Sequence, residues 1–242
     1  MPHQLVDLLW RDHPAASGGR RRGPPSRLTT GAVVDAAIAI ADRSGLEAVR
    51  IRELAGALGG STMSIYTYVN SRADLLALMV DAAHAAMPRP DYGRSAWRTR
   101  VRRVADANAA LYRFRPWLLD ITDDRVAVGP GTIVKYDHEL HAFDGTGLDD
   151  VDRDAALTFV LDFVRAGAAA ARRRAGTDDP SAFWRASAPR LGVYLDGTPF
   201  PLAGRVGEAA GERMQAAYSA AHAYRFGMRR VLAALSDLVD PP

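Results

Sequence analysis

The chain has 242 residues, of which 48% are hydrophobic and 24% are charged, with a formal net charge of +3. This is enough for a sizeable core in one smaller and one larger domain. The lack of cysteine excludes disulfides and thiolate catalysis. Apolar runs are too short and too charged to span a bilayer, and the start shows no secretory signal pattern, so we expect a cytoplasmic protein without membrane contact.

Residues 1–26 are expected to form a flexible basic arm, because the stretch SGGRRRGPPSR is too rich in Gly and Pro to fold alone. A short amphipathic turn is indicated around Leu5 to Trp10. Residues 1–72 carry nine Arg against six acidic residues, whereas the rest of the chain is neutral. The arm and Arg27 could therefore follow DNA phosphates, and the alternative is a solubilising tail.

Residues 27–88 have the pattern of a compact helical head. A first helix is predicted from Gly31 to Ser44, with a threonine N-cap before it and Gly45 as its stop. A second follows from Ile51, whose apolar residues recur at helical spacing up to Leu58. A fourth helix begins after Ser71 and ends before Pro88.

The helix predicted over Ser61 to Tyr68 has an unusual composition. Ile65 is its only aliphatic anchor, and its other side chains are mostly hydroxyls and phenols. Such side chains allow close approach to a DNA groove and offer hydrogen bonds to bases and phosphates. Gly59 and Gly60 separate this helix from the preceding one, which is typical of a helix-turn-helix. An ordinary helical hairpin with half-buried tyrosines is the alternative.

One motif in this region resembles that of a known family. The pattern L-G-x-x-x-x-[ST]-[IL]-Y-x-[HY]-V-x-x-[KR]-x-x-L-L resembles the tetracycline-repressor (TetR) family. Two positions depart from the family pattern: Gly60 stands at an apolar turn position, and Arg50 stands where a capping hydroxyl is usual. The motif is carried here by Leu58, Gly59, Ser64, Ile65, Tyr66, Tyr68, Val69, Arg72, Leu75 and Leu76.

The resemblance implies how the head would bind double-stranded DNA. Thr62, Met63 and Ser64 are expected to face bases, and Arg52 to reach a guanine. Three further residues, Tyr66, Thr67 and Tyr68, are expected to hold the phosphate backbone together with Arg72. The family also implies an all-α fold, with a three-helix head and a larger helical body that dimerises and binds a small-molecule effector.

Residues 89–242 are predicted to form this body, because no stretch shows sustained strand alternation. Helices are predicted over 95–115, 116–120, 132–143, 149–174, 180–193 and 208–238, with loops at 123–131 and 196–207. The last helix carries an apolar seam with a 3.5-residue period, which favours a partner helix. Packing inside one subunit is the alternative. The predicted homodimer interface contains Leu157, Val160, Leu161, Val164, Met214, Tyr218, Ala221, Met228, Leu232 and Leu235.

Ligand-binding residues are expected among the aromatic and polar positions of the body. Asn108 is the lone polar member of an apolar stripe and could bond an effector or a buried backbone group. Aromatic residues at helical spacing are more often core than pocket. The predicted set is Trp97, Asn108, Tyr112, Trp117, Phe159, Phe163 and Trp184.

The sequence thus predicts a ligand-responsive repressor that binds a palindromic operator as a homodimer, is released by a small molecule, and is not an enzyme. No cofactor or metal is expected. The rival hypothesis is a metal-dependent enzyme that uses the cluster from Asp137 to His141, in which His138 and His141 lie three residues apart. A transcriptional activator of the same fold is a second alternative.

Overall fold

The computed structural model of the chain describes residues 4–14, 28–122, 128–175, 180–197 and 199–239. The chain divides into two compact units, residues 1–157 and residues 158–242. Every regular element in these described ranges is helical, as the sequence predicts. No helix within the same ranges combines the length and the low polarity that a membrane crossing requires.

The first unit contains the head and the first half of the body. Three helices of the head begin where a hydroxyl side chain caps them: Thr29 accepts from the Ala32 N–H, Ser61 from Ser64 and Ser71 from Asp74. The helix that begins at Ile51 has no side-chain cap. Short 3₁₀ helices lie at Leu46–Ala48, Pro116–Asp120 and His141–Phe143. The α-helices are α1 (Leu5–Leu9), α2 (Thr30–Ser44), α3 (Ile51–Ala57), α4 (Thr62–Ile65), α5 (Arg72–Ala85), α6 (Trp97–Phe114), α7 (Pro130–Leu140) and the start of α8 (Asp150–Ala175).

A single apolar core holds the head together. Leu54 of α3, Ile65 of α4 and Leu75 of α5 are fully buried in it. The turn between α3 and α4 depends on Gly59, which has a φ of 64°, in the left-handed region that favours glycine. Burial of Ile65 fixes α4 on the core, while the other faces of this helix remain outside it.

Helix α1 forms where the sequence indicated a short amphipathic turn. Its Leu8 and Leu9 are buried in the same core, and the indole N–H of Trp10 donates to the carbonyl of Val128 at 2.8 Å. The part of the predicted arm from Leu5 to Trp10 is therefore packed against the protein. The Arg-rich stretch and Arg27 lie outside the described residues.

Helices α5 and α7 approach each other closely at the start of α7. The carboxylate of Asp81 on α5 accepts the backbone N–H of Thr132 at 2.8 Å, and the His84 ring bonds the Thr132 hydroxyl at 2.9 Å. A Cβ at Gly131 would overlap the backbone of Asp81 and the side chain of Ala85. Only glycine therefore permits this contact between the head's last helix and the body.

The second unit contains the rest of α8 with α9 (Pro180–Leu195), α10 (Pro201–Met214) and α11 (Ala220–Val239). The predicted loop over 196–207 and single helix over 208–238 are wrong. Pro201 occupies the first turn of α10, where its missing N–H costs nothing. Gln215 follows α10 with a left-handed φ of 52° and separates it from α11. The apolar period continues through this break, so periodicity alone could not reveal it.

Candidate nucleic-acid interface and buried cavity

Helix α4 presents the surface that the sequence singled out. Thr62, Met63, Tyr66 and Thr67 are exposed, with 74% of Met63 and 48% of Tyr66 accessible. Met63 is too open to have a role in this subunit's core, and Ile65 is the buried residue of the helix. The protein thus leaves the hydroxyl-and-phenol face of α4 uncovered.

Two of the predicted contact residues are partly used inside the head. The Ser64 hydroxyl donates to the Ser61 carbonyl at 2.5 Å, and Ser61 caps the Ser64 N–H in return. Ser64 is half-buried and Tyr68 is half-buried against the head core. Ser64 therefore helps to start α4, and Tyr68 helps to seat it on the core.

The two predicted arginines differ in their surroundings. Arg52 on α3 is exposed. Arg72 also lies on the surface, but its guanidinium donates to the carbonyls of Leu46 at 3.3 Å and Val49 at 3.4 Å. It therefore closes the 3₁₀ helix between α2 and α3. A guanidinium has five N–H donors, so these bonds leave others for a phosphate.

A small cavity of about 10 Å³, room for about one water molecule, lies between α5, α6 and α7. The segment that joins α5 to α6 covers it with two prolines and Tyr92. Its apolar walls come from Met87, Val104 and Ala107. The other lining residues are His84, Pro88, Arg89, Pro90, Lys135, His138 and Glu139.

A buried hydrogen-bonded ion pair forms one wall of the cavity. The Lys135 ammonium lies 2.6 Å from one carboxylate oxygen of Glu139, and the Asn108 amide donates to the other oxygen, also at 2.6 Å. Asn108 donates as well to the Val104 carbonyl. Burial, together with the charge of Lys135, lowers the pKa of His84 to about 3. His84 is therefore neutral at ordinary pH.

Two polar atoms in the cavity lining have no hydrogen-bond partner in the protein. They are the Tyr92 hydroxyl oxygen and His138 Nε2, and both are inaccessible to solvent. The rings of Tyr92 and His138 stack with their centres 4.8 Å apart. Burial raises the pKa of Tyr92 and lowers that of His138, so both groups are held in their neutral forms. Buried polar atoms normally have a partner, so these two mark a candidate ligand position.

None of the seven predicted ligand residues lines this cavity. Asn108 lies behind the cavity wall, where its amide donates a hydrogen bond to the carboxylate of Glu139. Trp97 is half-buried, and Tyr112 packs on the head core. Phe159 is exposed on α8. The sequence analysis did not select Tyr92 as a cavity residue. The signal available for it was the Pro-Arg-Pro segment that precedes it.

The other three aromatic residues of that set serve packing. The Trp117 indole N–H donates to the Asp42 carboxylate at 2.6 Å. Phe163 packs on Gly227 and stacks with Tyr224 at 5.3 Å, while Trp184 packs on Gly211. Each ring in the second unit faces a glycine, so close helix packing explains it.

The predicted dimer residues fall into two groups. The first is buried by its own subunit and consists of Leu157, Val160, Val164, Met228, Leu232 and Leu235. The second is half-buried or exposed and consists of Leu161, Met214, Tyr218 and Ala221. Met214 ends α10 and Tyr218 lies before α11, so the seam is not one continuous helical stripe.

The cluster from Asp137 to His141 does not converge on one point. Glu139 is buried with Lys135, and His138 stacks on Tyr92, whereas His141 bonds the Asp144 carboxylate at 2.7 Å. No group of three potential metal ligands occurs within the described parts of the chain. The metal site that the enzyme hypothesis requires is therefore not formed by these residues.

Two connections join the head to the cavity helices. Helix α5 begins in the head at Arg72 and carries the cavity residue His84 at its other end. Asp42 at the end of α2 bonds Trp117 and also Arg115, whose Nε lies 3.4 Å away. Displacement of α5 or α6 at the cavity would therefore act directly on the head.

Comparison with known proteins gives the same picture. Residues 89–238 match the family described as tetracyclin repressor-like, C-terminal domain. The chain is 34% identical to the HTH-type transcriptional repressor DrrR1 of Streptomyces coeruleorubidus, over 98% of this chain and 86% of that protein.

Two Streptomyces coelicolor structures share the fold. The TetR family protein ActR, in complex with actinorhodin, has a TM-score of 0.74 at 24% identity, covering 90% of this chain and 99% of ActR. A TetR transcriptional regulator has a TM-score of 0.65 at 19% identity, covering 88% of this chain and 99% of that protein.

A capped helix-turn-helix with an open second helix, joined to a helical body, defines a DNA-binding regulator. The chain belongs to the TetR family of transcriptional regulators. The prediction of a TetR-family transcriptional regulator is confirmed. The relatives are regulators and give no support to the enzyme hypothesis.

Proposed function

We propose that this protein binds a palindromic operator as a homodimer in the cytoplasm and is released when a small molecule occupies the cavity between α5, α6 and α7. The observation that carries the proposal is the uncovered face of α4, with Met63 and Tyr66 open to solvent. A helix of hydroxyls, phenols and one exposed Met suits close contact with base edges and phosphates.

The proposed contacts divide into two kinds. Thr62, Met63 and Arg52 would read base edges, since they are exposed on α3 and α4. Tyr66 and Thr67 would bond phosphates. Ser64, Tyr68 and Arg72 would mainly hold α4 and the 3₁₀ turn in place, because each already has contacts within the head. Contacts of the first kind set sequence preference, and those of the second set affinity.

The burial pattern also refines the proposed dimer surface. Phe159 on α8 and Phe226 on α11 are large apolar residues that stay exposed in the single chain. Together with Leu161 and Ala221 they offer outer faces on which a second copy could form a four-helix interface. Two heads related by a two-fold axis would then bind in successive major grooves of a palindromic site.

Release would follow from the coupling of α5 to both sites. A ligand that enters the cavity displaces the end of α5, and this motion changes the spacing of the two heads. About 5.5 kcal/mol of differential binding moves a two-state population from 1:99 to 99:1. ActR is described in complex with actinorhodin, which supports the proposal that a small molecule is the effector of this chain.

Selection of bound fragments from genomic DNA of the native host tests the proposal. We expect enrichment of a palindromic sequence, bound by the protein in a gel shift as a complex of two chains. The control is the chain with Thr62, Met63 and Tyr66 all changed to Ala, which should enrich nothing. Equal enrichment by both proteins would contradict the proposed DNA surface.

The dimer surface is tested separately by Phe226→Glu. Light scattering should report a dimer for the wild type and a shift towards monomer for the variant, because a charge would be buried at the interface. Phe183→Glu, at an exposed position of α9, is the matched control and should remain a dimer. A dimeric Phe226→Glu protein would place the interface elsewhere.

A further inference from the structure

We propose that the segment from Leu5 to Trp10 is a strap that holds the start of α7 against α5, and that Trp10 thereby positions the head for operator binding without contacting DNA. The inference rests on the function proposed above, because operator affinity is one of its readouts. It goes beyond that function by giving a role to α1, which the sequence predicts only as part of a flexible arm.

One end of the strap is anchored in the head. A helix of five residues is not stable alone, since isolated helices shorter than about 12–15 residues are marginal in water. Helix α1 also begins after Gln4 without a side-chain cap. Its position is determined instead by Leu8 and Leu9, which are buried in the core that also contains residues of α2 and α5. Burial of apolar surface therefore holds the strap on the head.

The other end of the strap contacts the chain just before α7. The indole N–H of Trp10 donates to the Val128 carbonyl at 2.8 Å, two residues before Pro130 begins α7. This bond lies at the surface, so it can open and close at a modest cost. The Trp10 ring itself packs against the head core. One side chain thus joins the head core to the start of α7.

The start of α7 makes a close contact with α5. A Cβ at Gly129 would overlap the Asp81 side chain, and one at Gly131 would overlap the Asp81 backbone. The Asp81 carboxylate is buried and accepts the Thr132 N–H at 2.8 Å. Separation of the two helices would remove this bond from a buried carboxylate, which is costly, so the contact is made or broken as a unit. The bond to the strap lies next to this contact in the chain and favours its closed form.

This contact matters for DNA binding because α5 begins in the head. Release of the operator, as proposed above, requires displacement of the end of α5. Asp81 and His84, which both bond Thr132, lie in the last two turns of this helix. A strap that keeps α7 on this end of α5 opposes the displacement. It therefore favours the arrangement that binds the operator.

The charge of the strap region does not suit direct contact with DNA. Residues 4–14 contain two carboxylates, Asp7 and Asp12, against the single guanidinium of Arg11. Both carboxylates are exposed. Arg11 donates to the Leu8 carbonyl at 2.9 Å and lies 3.5 Å from the Asp12 carboxylate. Since phosphates repel carboxylates, the strap acts through its contacts within the protein.

Trp10→Phe in the full chain tests the inference, because this change keeps an aromatic ring on the core and removes the N–H. Fluorescence anisotropy on the selected operator should show about 3- to 10-fold weaker binding, the effect of losing one hydrogen bond. The salt dependence of binding should stay the same because no phosphate contact is lost. Val6→Ala is the control, since this residue of the same helix is exposed, and it should bind the operator like the wild type.

Hydrogen exchange separates positioning from a merely structural role. Backbone amides at 129–135 should exchange faster in Trp10→Phe than in the wild type or Val6→Ala, whereas those at 36–41 of α2 should not change. Denaturant titration checks that all three proteins are folded under the conditions of the binding assay. A merely structural role would lower the free energy of unfolding and leave the operator affinity of the folded protein unchanged.

The contrary outcomes are equally definite. An equal loss of affinity in Val6→Ala, a shallower salt dependence in Trp10→Phe, or unchanged exchange at 129–135 would each overturn the inference. Operator binding that Trp10→Phe leaves unchanged would overturn the strap alone and leave the regulator proposal standing. Absence of operator binding by the wild type would overturn the proposed function, and the positioning role of Trp10 with it.

Discussion

The exposed face of α4 and the cavity behind α5 handle polar groups in opposite ways. On α4 the hydroxyls and phenols lie in water, where an absent partner costs little. In the cavity, Tyr92 and His138 carry polar atoms that are buried without a partner, which costs stability. A surface for a large partner can remain in solvent, whereas a candidate small-ligand position inside the core carries its unpaired polar atoms at a cost in stability.

The largest effect is expected at the junction that supports both regions. Gly131→Ala adds a Cβ that overlaps the backbone of Asp81, which cannot move aside. The free energy of unfolding should fall by about 2–4 kcal/mol, measured by denaturant titration. Gly207→Ala is the control, because a Cβ there meets nothing within 4 Å, and it should be neutral or slightly stabilising. Similar stability of the two variants would refute the tight α5–α7 contact.

Two substitutions in the head, each tested for operator binding, separate phosphate contacts from base contacts. Tyr66→Ala should weaken binding to all duplexes, whereas Arg52→Ala should lower discrimination at one base pair by about 1–3 kcal/mol. Fluorescence anisotropy on the operator and on single-base variants separates the two effects. If Arg52→Ala weakened all duplexes equally, Arg52 would be a phosphate contact.

The pH dependence of stability tests the surroundings of the cavity residue His84. Folding holds the pKa of His84 at about 3, while the unfolded chain has the ordinary value of 6.5. The unfolded state therefore binds one more proton between these values, so stability is present above pH 6.5 and is lost as the pH falls towards 3. This group adds a slope of about 1.4 kcal/mol per pH unit at most. Denaturant titrations of wild type and His84→Gln between pH 7 and 4 should show a flatter slope in the variant. Identical slopes would show that His84 titrates normally.

The smallest effect is expected for Arg72. Its bonds to the Leu46 and Val49 carbonyls are partly solvent-exposed, so Arg72→Ala should cost about 1 kcal/mol of stability. If these bonds are its main role, the salt dependence of operator binding should change by less than one phosphate contact. A salt slope reduced by about 1 with unchanged stability would instead make Arg72 a phosphate ligand.

The head could be predicted because its information is contiguous. One stretch of chain supplies the caps, the Gly59 turn and the composition of α4, and short-range spacing determines all three. The cavity is assembled from the end of α5, the segment that contains Tyr92, α6 and α7, which are far apart in sequence. Periodicity identified α6 and α7 but could not bring Tyr92 onto His138.

The second unit shows another limit of sequence patterns. Phe163 and Trp184 look like pocket residues, yet each ring fills the space left by a glycine on a neighbouring helix, Gly227 or Gly211. Which glycine faces which ring depends on helix pairing. In the same way, Met228 and Leu232 fit a dimer seam but are buried by their own subunit. An apolar stripe specifies burial and leaves open which chain provides it.

Hydrogen exchange across α4 tests the central claim most directly. The exchange of backbone amides in residues 58–70 and in 183–194 of α9 would be followed with and without the selected operator duplex. We predict slower exchange at 58–70 on operator addition and no change at 183–194, because the duplex covers the exposed face of α4. Unchanged exchange at 58–70 in a protein saturated with its operator would contradict the account.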